Sequence, residues 1–319
     1  MDGIEHDAAD HTVQNENGEG RTEPEHQELD EDTQDSRNAA HGTLSLVWNG
    51  SGVPGTSDGS AGGLIRPRLR WLGHATTLIE DRGTVVVTDP VLTPRVAHLH
   101  RRRGMPPTGP RVHDPDVVVL SHLHADHTHL PSLRLIADHV PIVLPRGAVD
   151  AVPGLRAFGD RLIEVRSGDE VSIGGVTIRA VPAAHDGRRW RRGPRTTQAL
   201  GYVVIGNATT YFAGDTDVYP DLAEWVPHAD LALLPVGGWG PTLGEGHLDP
   251  RRAVIAAQRV NARKVVPIHY GTLWPIGLDA VRPGLFFAPG PEFVRLATEA
   301  GVDAEVLHPG DPLGLEWRP

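Results

Sequence analysis

The heptapeptide SHLHADH, residues 121–127, directly follows the apolar run DVVVL at residues 116–120. It brings together four side chains that can bind metal ions: His122, His124, Asp126 and His127. On an extended segment, residues two apart project to the same side, so His122 and His124 face one point. The next turn can direct the other two ligands toward a neighbouring point. One loop at the end of a strand can therefore provide ligands for two ions.

Three later segments each end an apolar run with a further candidate ligand. His185 follows VTIRAVPAA, Asp215 follows TTYFAG, and His269 follows KVVPI. Taken singly, each of them is as readily a solvated or capping residue. The chain has no cysteine, so any metal must be bound by histidine and carboxylate side chains.

The segments SHLHADH, AAH, AGDTD and PIHYG, in that order, resemble the metal signature of the metallo-β-lactamase superfamily. The flanking segments LGHATTLIE, VTDPVL, GHLDPRRAV and PIHYGT are similar to the branch that contains N-acylphosphatidylethanolamine-hydrolysing phospholipase D. The L-ascorbate-6-phosphate lactonases are more distant relatives of that branch. The resemblance covers about residues 70–315. It implies an α+β fold, an αββα sandwich of two mixed sheets packed face to face with helices outside.

The resemblance also implies how the ligands divide between two divalent metal ions. One ion would be bound by His122, His124 and His185, the other by Asp126, His127 and His269, with Asp215 bridging them. Zinc is the default metal, and manganese or iron are alternatives, because nitrogen and oxygen ligands do not settle its identity. Two ions that share a water lower its pKa toward neutrality, so a metal-bridging hydroxide is the expected nucleophile.

Three further residues are predicted to support or line the site. The resemblance implies that Asp89 orients a ligating imidazole, although a turn residue is the alternative. His74 either lines the pocket or satisfies backbone groups in a turn. His247 resembles a pocket histidine of the phospholipase branch, and with Asp126 it is predicted to be catalytic. Its alternative is a plain entry residue of the helix predicted over residues 250–262.

The arginine-rich loop after His185 is a candidate anion-binding segment. Arg188 and Arg189 could bind a phosphate or carboxylate through paired hydrogen bonds. Lys264 is the only lysine, however, so arginine carries nearly every positive charge in this chain. The abundance of arginine in this loop is therefore weak evidence for anion binding.

The net charge of −11 comes from the N-terminal region. Residues 1–37 hold 13 of the 41 acidic residues and only two of the 30 basic residues, which leaves 28 of each sign in the remainder. This balance gives no indication of a nucleic-acid partner. With no leader-like N-terminus and no transmembrane run, we expect a cytoplasmic protein, and peripheral membrane contact stays open.

Two segments are predicted from composition. Residues 1–63 are acidic and rich in Gly and Ser, so we expect a disordered tail, followed by a catalytic domain over residues 64–319. Within the tail, LSLVW at residues 44–48 is either a short docked strand or a loose apolar patch. In the domain, short β-branched runs alternate with turns, and helices are predicted at 131–138, 250–262 and 291–300.

Three functions fit this sequence. The first is hydrolysis of a phosphodiester or a phospholipid-like substrate. The second is lactonase or other carboxylic ester hydrolysis at the same metals. The third is a metal-binding regulatory or scaffold protein. For either enzyme, the expected partner is a small-molecule or lipid-like ester.

Overall fold

A computed structural model describes residues 44–48, 67–190, 193, 195–240 and 242–315. The described strands are β1 (Ser45–Val47), β2 (Arg68–Gly73), β3 (Thr76–Asp81), β4 (Thr84–Thr88), β5 (Arg95–Val96), β6 (Leu99–Arg101), β7 (Val117–Val119), β8 (Ile142–Pro145), β9 (Leu162–Val165), β10 (Glu170–Ile173), β11 (Val176–Pro182), β12 (Leu200–Ile205), β13 (Thr209–Phe212), β14 (Ala229–Pro235), β15 (Ala262–Ile268), β16 (Leu273–Pro275) and β17 (Pro312–Gly314). The helices are α1 (Pro110–His113), α2 (Leu130–Leu133), α3 (Ala148–Ala151), α4 (Leu222–Trp225), α5 (Pro250–Arg259), α6 (Leu278–Val281), α7 (Pro283–Phe287), α8 (Pro289–Glu299) and a 3₁₀ segment, Pro153–Arg161.

Most of these strands form two seven-stranded mixed sheets. The first has the order β17-β2-β3-β4-β7-β8-β9, and its strands run parallel from β4 to β9. The second has the order β1-β10-β11-β12-β13-β14-β15, antiparallel from β10 to β13 and parallel from β13 to β15. A small sheet, β16-β6-β5, accompanies them.

The two large sheets pack face to face over a shared apolar core. Alternate side chains of a strand point to opposite faces, and both faces of the first sheet are apolar. Val86 and Val119 lie in one cluster with Tyr202 of the second sheet. Val87, on the other face of β4, packs with Phe158 of the 3₁₀ segment. The first sheet is therefore covered by the second sheet on one side and by helical segments on the other.

Helices α5 and α8 cover the outer face of the second sheet. Ala253, Ala257 and Phe293 are fully buried in the core shared with β14 and β15. Helix α5 begins as predicted, because the Asp249 side chain accepts a hydrogen bond from the Arg252 backbone N–H at 2.8 Å. The arrangement confirms the predicted αββα sandwich.

The helices are short, and one prediction was wrong. The helix expected over residues 131–138 ends as α2 at Leu133. The Ala137 N–H donates to the His113 carbonyl at 2.8 Å, so the chain leaves the helical path there. Among the described residues, no helix combines the length and apolar composition needed to cross a bilayer.

The segment at residues 44–48 forms the docked strand, which was one of its two predicted alternatives. Strand β1 pairs in parallel with β10, and Leu46 and Trp48 pack against the core. The rest of the predicted tail within residues 1–63 lies outside the described residues.

Candidate metal centre

The candidate ligands gather where strands of both large sheets end. The loop after β7 carries the first four, while β11, β13 and β15 end shortly before His185, Asp215 and His269. The three strands of the second sheet run in the same direction, so their carboxyl ends share one edge. The fold therefore brings together side chains that are far apart in sequence.

Three imidazoles form a first cluster. His124 Nδ1 lies 2.9 Å from His122 Nε2 and 3.1 Å from His185 Nε2. The His185 ring is oriented by its Nδ1, which contacts the Gly246 carbonyl at 2.8 Å. An N–H on Nδ1 leaves the lone pair of Nε2 directed into the cluster.

A second cluster joins His127 and His269, and Asp215 contacts both rings. The two Nε2 atoms of His127 and His269 are 3.1 Å apart. Asp215 Oδ2 lies 3.2 Å from His127 Nε2, and its Oδ1 lies 3.2 Å from His269 Nε2. The His269 ring is oriented by its Nδ1, which contacts the Gly237 carbonyl at 3.0 Å.

Asp215 lies between the two clusters. A ligand atom of Asp215 is within 4.8 Å of ligand atoms of both His122 and His127, and the same holds for His185 and His247. The side chain is buried. Its position is the one that a carboxylate shared between two ions would occupy.

Asp126 lies at the second cluster and contacts His74. Asp126 Oδ2 is 3.8 Å from His127 Nε2 and 3.9 Å from His269 Nε2. The same oxygen lies 2.9 Å from His74 Nε2. The imidazole therefore holds the carboxylate against the cluster.

Both predicted alternatives for His74 describe part of its environment. Its side chain lies at the site, while its backbone has a positive φ of 54° and belongs to a turn. Its carbonyl accepts hydrogen bonds from His269 N at 3.0 Å and Trp71 Nε1 at 2.8 Å. His74 thus links the turn after β2 to a candidate ligand.

Asp89 lies beneath the loop of residues 121–127, which we call the metal loop. Its side chain accepts hydrogen bonds from the backbone N–H and the hydroxyl of Ser121 at 2.7 and 2.5 Å. Its Oδ2 is also 2.7 Å from His127 Nδ1, and both side chains are fully buried. A carboxylate at this position fixes the ring so that Nε2 faces the cluster.

His247 reaches the same site from the start of α5. Its Nε2 lies 3.5 Å from Asp215 Oδ2, and its ring stands edge-on to that of His185 with centroids 4.6 Å apart. Burial works to lower the pKa of His247, but the contact with Asp215 outweighs it and raises that pKa. The structure therefore places His247 beside the ligands.

The two predicted anion-binding arginines have different environments. Arg189 Nη1 donates to the carbonyls of Leu123 and Thr128 at 2.8 and 2.7 Å, so it braces the metal loop. Arg188 is exposed and lies 3.7 Å from Asp186. Anion binding by either side chain stays a prediction.

Burial keeps most of the imidazoles neutral. It lowers the pKa of His185 to about 4 and of His269 to about 3, and that of His122 well below its ordinary value. Neutral imidazole is the form that binds metal. These rings are therefore ready to donate lone pairs.

The carboxylates make the second cluster negative. Burial acts to raise the pKa values of Asp126 and Asp215, but the neighbouring histidines outweigh it and lower both. Burial likewise acts to lower the pKa of His127, yet Asp215, Asp89 and Asp126 raise it well above the ordinary range. The site thus concentrates ionised carboxylates that a cation would balance.

The donor set fits metal ions. Three neutral ring nitrogens converge within about a hydrogen-bond length of one another in the first cluster, where lone pairs are stabilised by a common cation. Asp215 Oδ1 is buried and has no well-formed hydrogen bond among the described residues. Histidine and carboxylate ligands suit zinc, iron or manganese.

Two contacts at this site were not foreseen from the sequence. The carbonyls of Gly237 and Gly246 orient His269 and His185. A backbone acceptor has no side-chain signature, so only the run of glycines around Trp239 could have drawn attention to this segment.

The fold and the cluster define the class of protein, and the comparisons agree. The family described as a beta-lactamase superfamily domain matches residues 84–270. A UPF0173 metal-dependent hydrolase of Methanosphaerula palustris is 33% identical over 219 residues, covering 65% of this chain and 85% of that relative. This chain therefore belongs to the metallo-β-lactamase superfamily and is a metal-dependent hydrolase.

Two further similarities refine this placement. N-acyl-phosphatidylethanolamine-hydrolyzing phospholipase D 1 of Caenorhabditis elegans is 33% identical over 229 residues, covering 65% of this chain and 64% of that protein. The structure of Igni18, a metallo hydrolase from the archaeon Ignicoccus hospitalis, has a TM-score of 0.60 and 22% identity. That similarity covers 80% of this chain and 100% of Igni18. It supports the fold.

Proposed function

We propose that this chain is a dinuclear hydrolase that cleaves a phosphodiester or a phospholipid-like ester. The observation that carries the proposal is the pair of ligand clusters with Asp215 between them. His122, His124 and His185 would hold one ion, and Asp126, His127 and His269 the other. Zinc is the default metal.

Two divalent ions bound there would lower the pKa of a shared water toward neutrality and so supply the nucleophile. They would also polarise the oxygen of the scissile group. The protein's own contribution is to fix its ligands. Asp89 holds His127, and the Gly246 carbonyl holds His185. Ligands fixed in this way keep the site open for a substrate atom without rearrangement.

Asp126 and His247 are the proposed catalytic side chains. The lowered pKa of Asp126 keeps its carboxylate ionised, so it can accept a hydrogen bond from the attacking water. His247 Nε2 lies at the site, and an N–H on that nitrogen can donate to an oxygen of the substrate.

A phosphodiester substrate is supported by similarity to the phospholipase D of C. elegans. The scaffold alternative is set aside, because the comparisons show a metal-dependent hydrolase. Hydrolysis of a carboxylic ester would use the same metal site, so the experiment must distinguish it from hydrolysis of a phosphodiester.

Metal analysis and hydrolysis assays on the purified full chain test the proposal. We expect about two ions per chain and faster cleavage of bis(p-nitrophenyl) phosphate than of a p-nitrophenyl ester or a chromogenic β-lactam. His122→Ala should reduce the rate by at least about a hundredfold. His139→Ala, at an exposed histidine paired with Asp114, is the matched control and should retain the rate. One ion per chain, or preference for the carboxylic ester, would contradict the proposal.

A further inference from the structure

A single loop is anchored to both ligand clusters. We define the rim loop as residues 237–240 and 242–246, between β14 and α5. At one end the Gly237 carbonyl contacts His269, and at the other the Gly246 carbonyl contacts His185. His247 follows immediately. The rim loop therefore spans the distance between the candidate ligands of the two proposed ions.

The anchors are sterically tight. Gly246 has a φ of +75°, and a Cβ there would lie 3.0 Å from the Ala184 carbonyl and 3.1 Å from His185 Nδ1. A Cβ on Gly237 would lie 3.1 Å from Tyr270 Cβ. Both ends of the rim loop are thus packed against residues next to the candidate ligands.

Two large apolar side chains of the rim loop remain exposed to solvent. Trp239 and Leu243 are 37% and 38% exposed. Leu243 folds back onto the loop, since its Cδ2 lies 3.2 Å from the Cβ position of Gly238. Trp239 stands edge-on to His98 with ring centroids 5.3 Å apart. The two side chains are held in place while their outer surfaces stay open.

Trp239 and Leu243 lie close in sequence to the carbonyls that contact the candidate ligands. Trp239 lies two residues after the carbonyl that holds His269, and Leu243 lies three residues before the carbonyl that holds His185. By contrast, Trp71 and Trp274 are almost fully buried. Exposed apolar side chains on a loop whose two ends contact candidate ligands are suited to bind the apolar part of a ligand whose polar part reaches the ions.

We propose that Trp239 and Leu243 form an apolar wall that binds the hydrocarbon chain of the ester substrate. The inference rests on the proposed function and narrows it to esters that carry an extended alkyl or acyl group. Because burial of a methylene favours binding, each carbon added to the chain should raise kcat/KM by up to about fourfold until the wall is covered.

The first test is a series of p-nitrophenyl alkyl phosphodiesters from methyl to octyl, with the metal-loaded full chain. In the wild type we expect kcat/KM to rise along the series, mainly through KM. Trp239→Ala and Leu243→Ala should reduce the octyl-to-methyl ratio by about tenfold or more. Ile255→Ala removes an apolar side chain of similar exposure, 45%, from α5 and should preserve the ratio. A flat series in the wild type, or an unchanged ratio in both rim-loop variants, would overturn the inference.

The second test measures binding by calorimetry, using octylphosphonate and methylphosphonate with the metal-loaded protein. We expect the wild type to favour the octyl compound by about tenfold or more, and Trp239→Ala to lose most of that preference. A wild type that binds octylphosphonate selectively but cleaves no phosphodiester would refute the proposed reaction and support the proposed apolar wall. A wild type that cleaves the series and binds both phosphonates equally would refute the wall alone.

Discussion

At the scale of single residues, the metal centre depends on how each ligand is held. The rings of His127, His185 and His269 each present Nε2 to a cluster because Nδ1 is occupied by another group. That group is a carboxylate for His127 and a backbone carbonyl for the other two. Groups that would not bind an ion themselves therefore fix the orientation of the histidines that would bind one.

Asp215→Asn should be more damaging than Asp89→Asn. Asp215 lies between the two clusters, so loss of its charge weakens both proposed ion sites, whereas His127 is the candidate ligand that Asp89 contacts. We expect Asp89→Asn to reduce metal affinity or rate by about 10- to 100-fold, and Asp215→Asn to lose at least one ion outright. Metal stoichiometry and rate measured on both variants decide the order. The opposite order would refute the shared position of Asp215.

Gly246→Ala should disturb the centre although no ligand is changed. The new methyl group meets His185 and the Ala184 carbonyl, and the positive φ of Gly246 adds strain. We expect a loss of metal affinity of about tenfold or more, measured by competition with a chelator. Gly244→Ala is the matched control, because a Cβ there meets nothing within 4 Å. Equal affinities in the two variants would contradict the anchoring role of Gly246.

The sequence could predict these candidate ligands but not the groups that orient them. His and Asp directly after β-branched runs are visible in the sequence, and the structure brings all seven into one site. Carbonyl anchors, and the contact between His74 and Asp126, depend on tertiary geometry. The bracing of the metal loop by Arg189 was missed for the same reason.

At the scale of elements, strands with continuous apolar runs were predictable because both faces of the sheets are buried. Strand β4 (TVVVT) and β14 (ADLALLP) are two such runs. Strand β2 (RLRWLG) is less evident from the sequence, because arginines at its exposed positions interrupt the apolar pattern. The helix over 131–138 was predicted too long, since α2 ends at Leu133 and the Ala137 N–H bonds to His113 outside the helix.

We expect the N-terminal boundary of the folded unit to lie before residue 64, because strand β1 pairs with β10. A chain that begins at Leu64 lacks the backbone partners of β10 and the packing of Leu46 and Trp48, whereas one that begins at Leu44 retains them. We expect the shorter chain to lose about 2 kcal/mol of unfolding free energy and about 4–8 °C in Tm. The longer chain should keep the Tm of the full protein. Thermal unfolding of the three proteins tests this, and equal Tm values would show that β1 is dispensable.

At the scale of the whole molecule, the metal centre joins the two sheets. The loop after β7 comes from the first sheet, and His185, Asp215 and His269 come from the second. The strand order that brings them together includes parallel neighbours distant in sequence, such as β4 and β7. Such an order cannot be read from local patterns, so it came only from the resemblance.

Bound metal should therefore stabilise the entire fold. Ions that bind only the folded chain at about a hundredfold excess over Kd add about 2.7 kcal/mol to the free energy of unfolding. For a domain of this size that is about 5–10 °C in Tm. Scanning calorimetry of the chain with added zinc and with a chelator measures the difference. A Tm that is independent of metal would show that the two sheets need no ion between them.

In the proposed enzyme, the way the rim loop is attached would separate the selection of a substrate from the chemistry performed on it. Because backbone carbonyls hold His269 and His185, the identities of the side chains between those two anchors are free to vary. Exchange of Trp239 or Leu243 for other residues would then change the substrate preference and leave the candidate ligands in place. The same property makes this loop the natural segment to randomise when variants with new selectivity are sought.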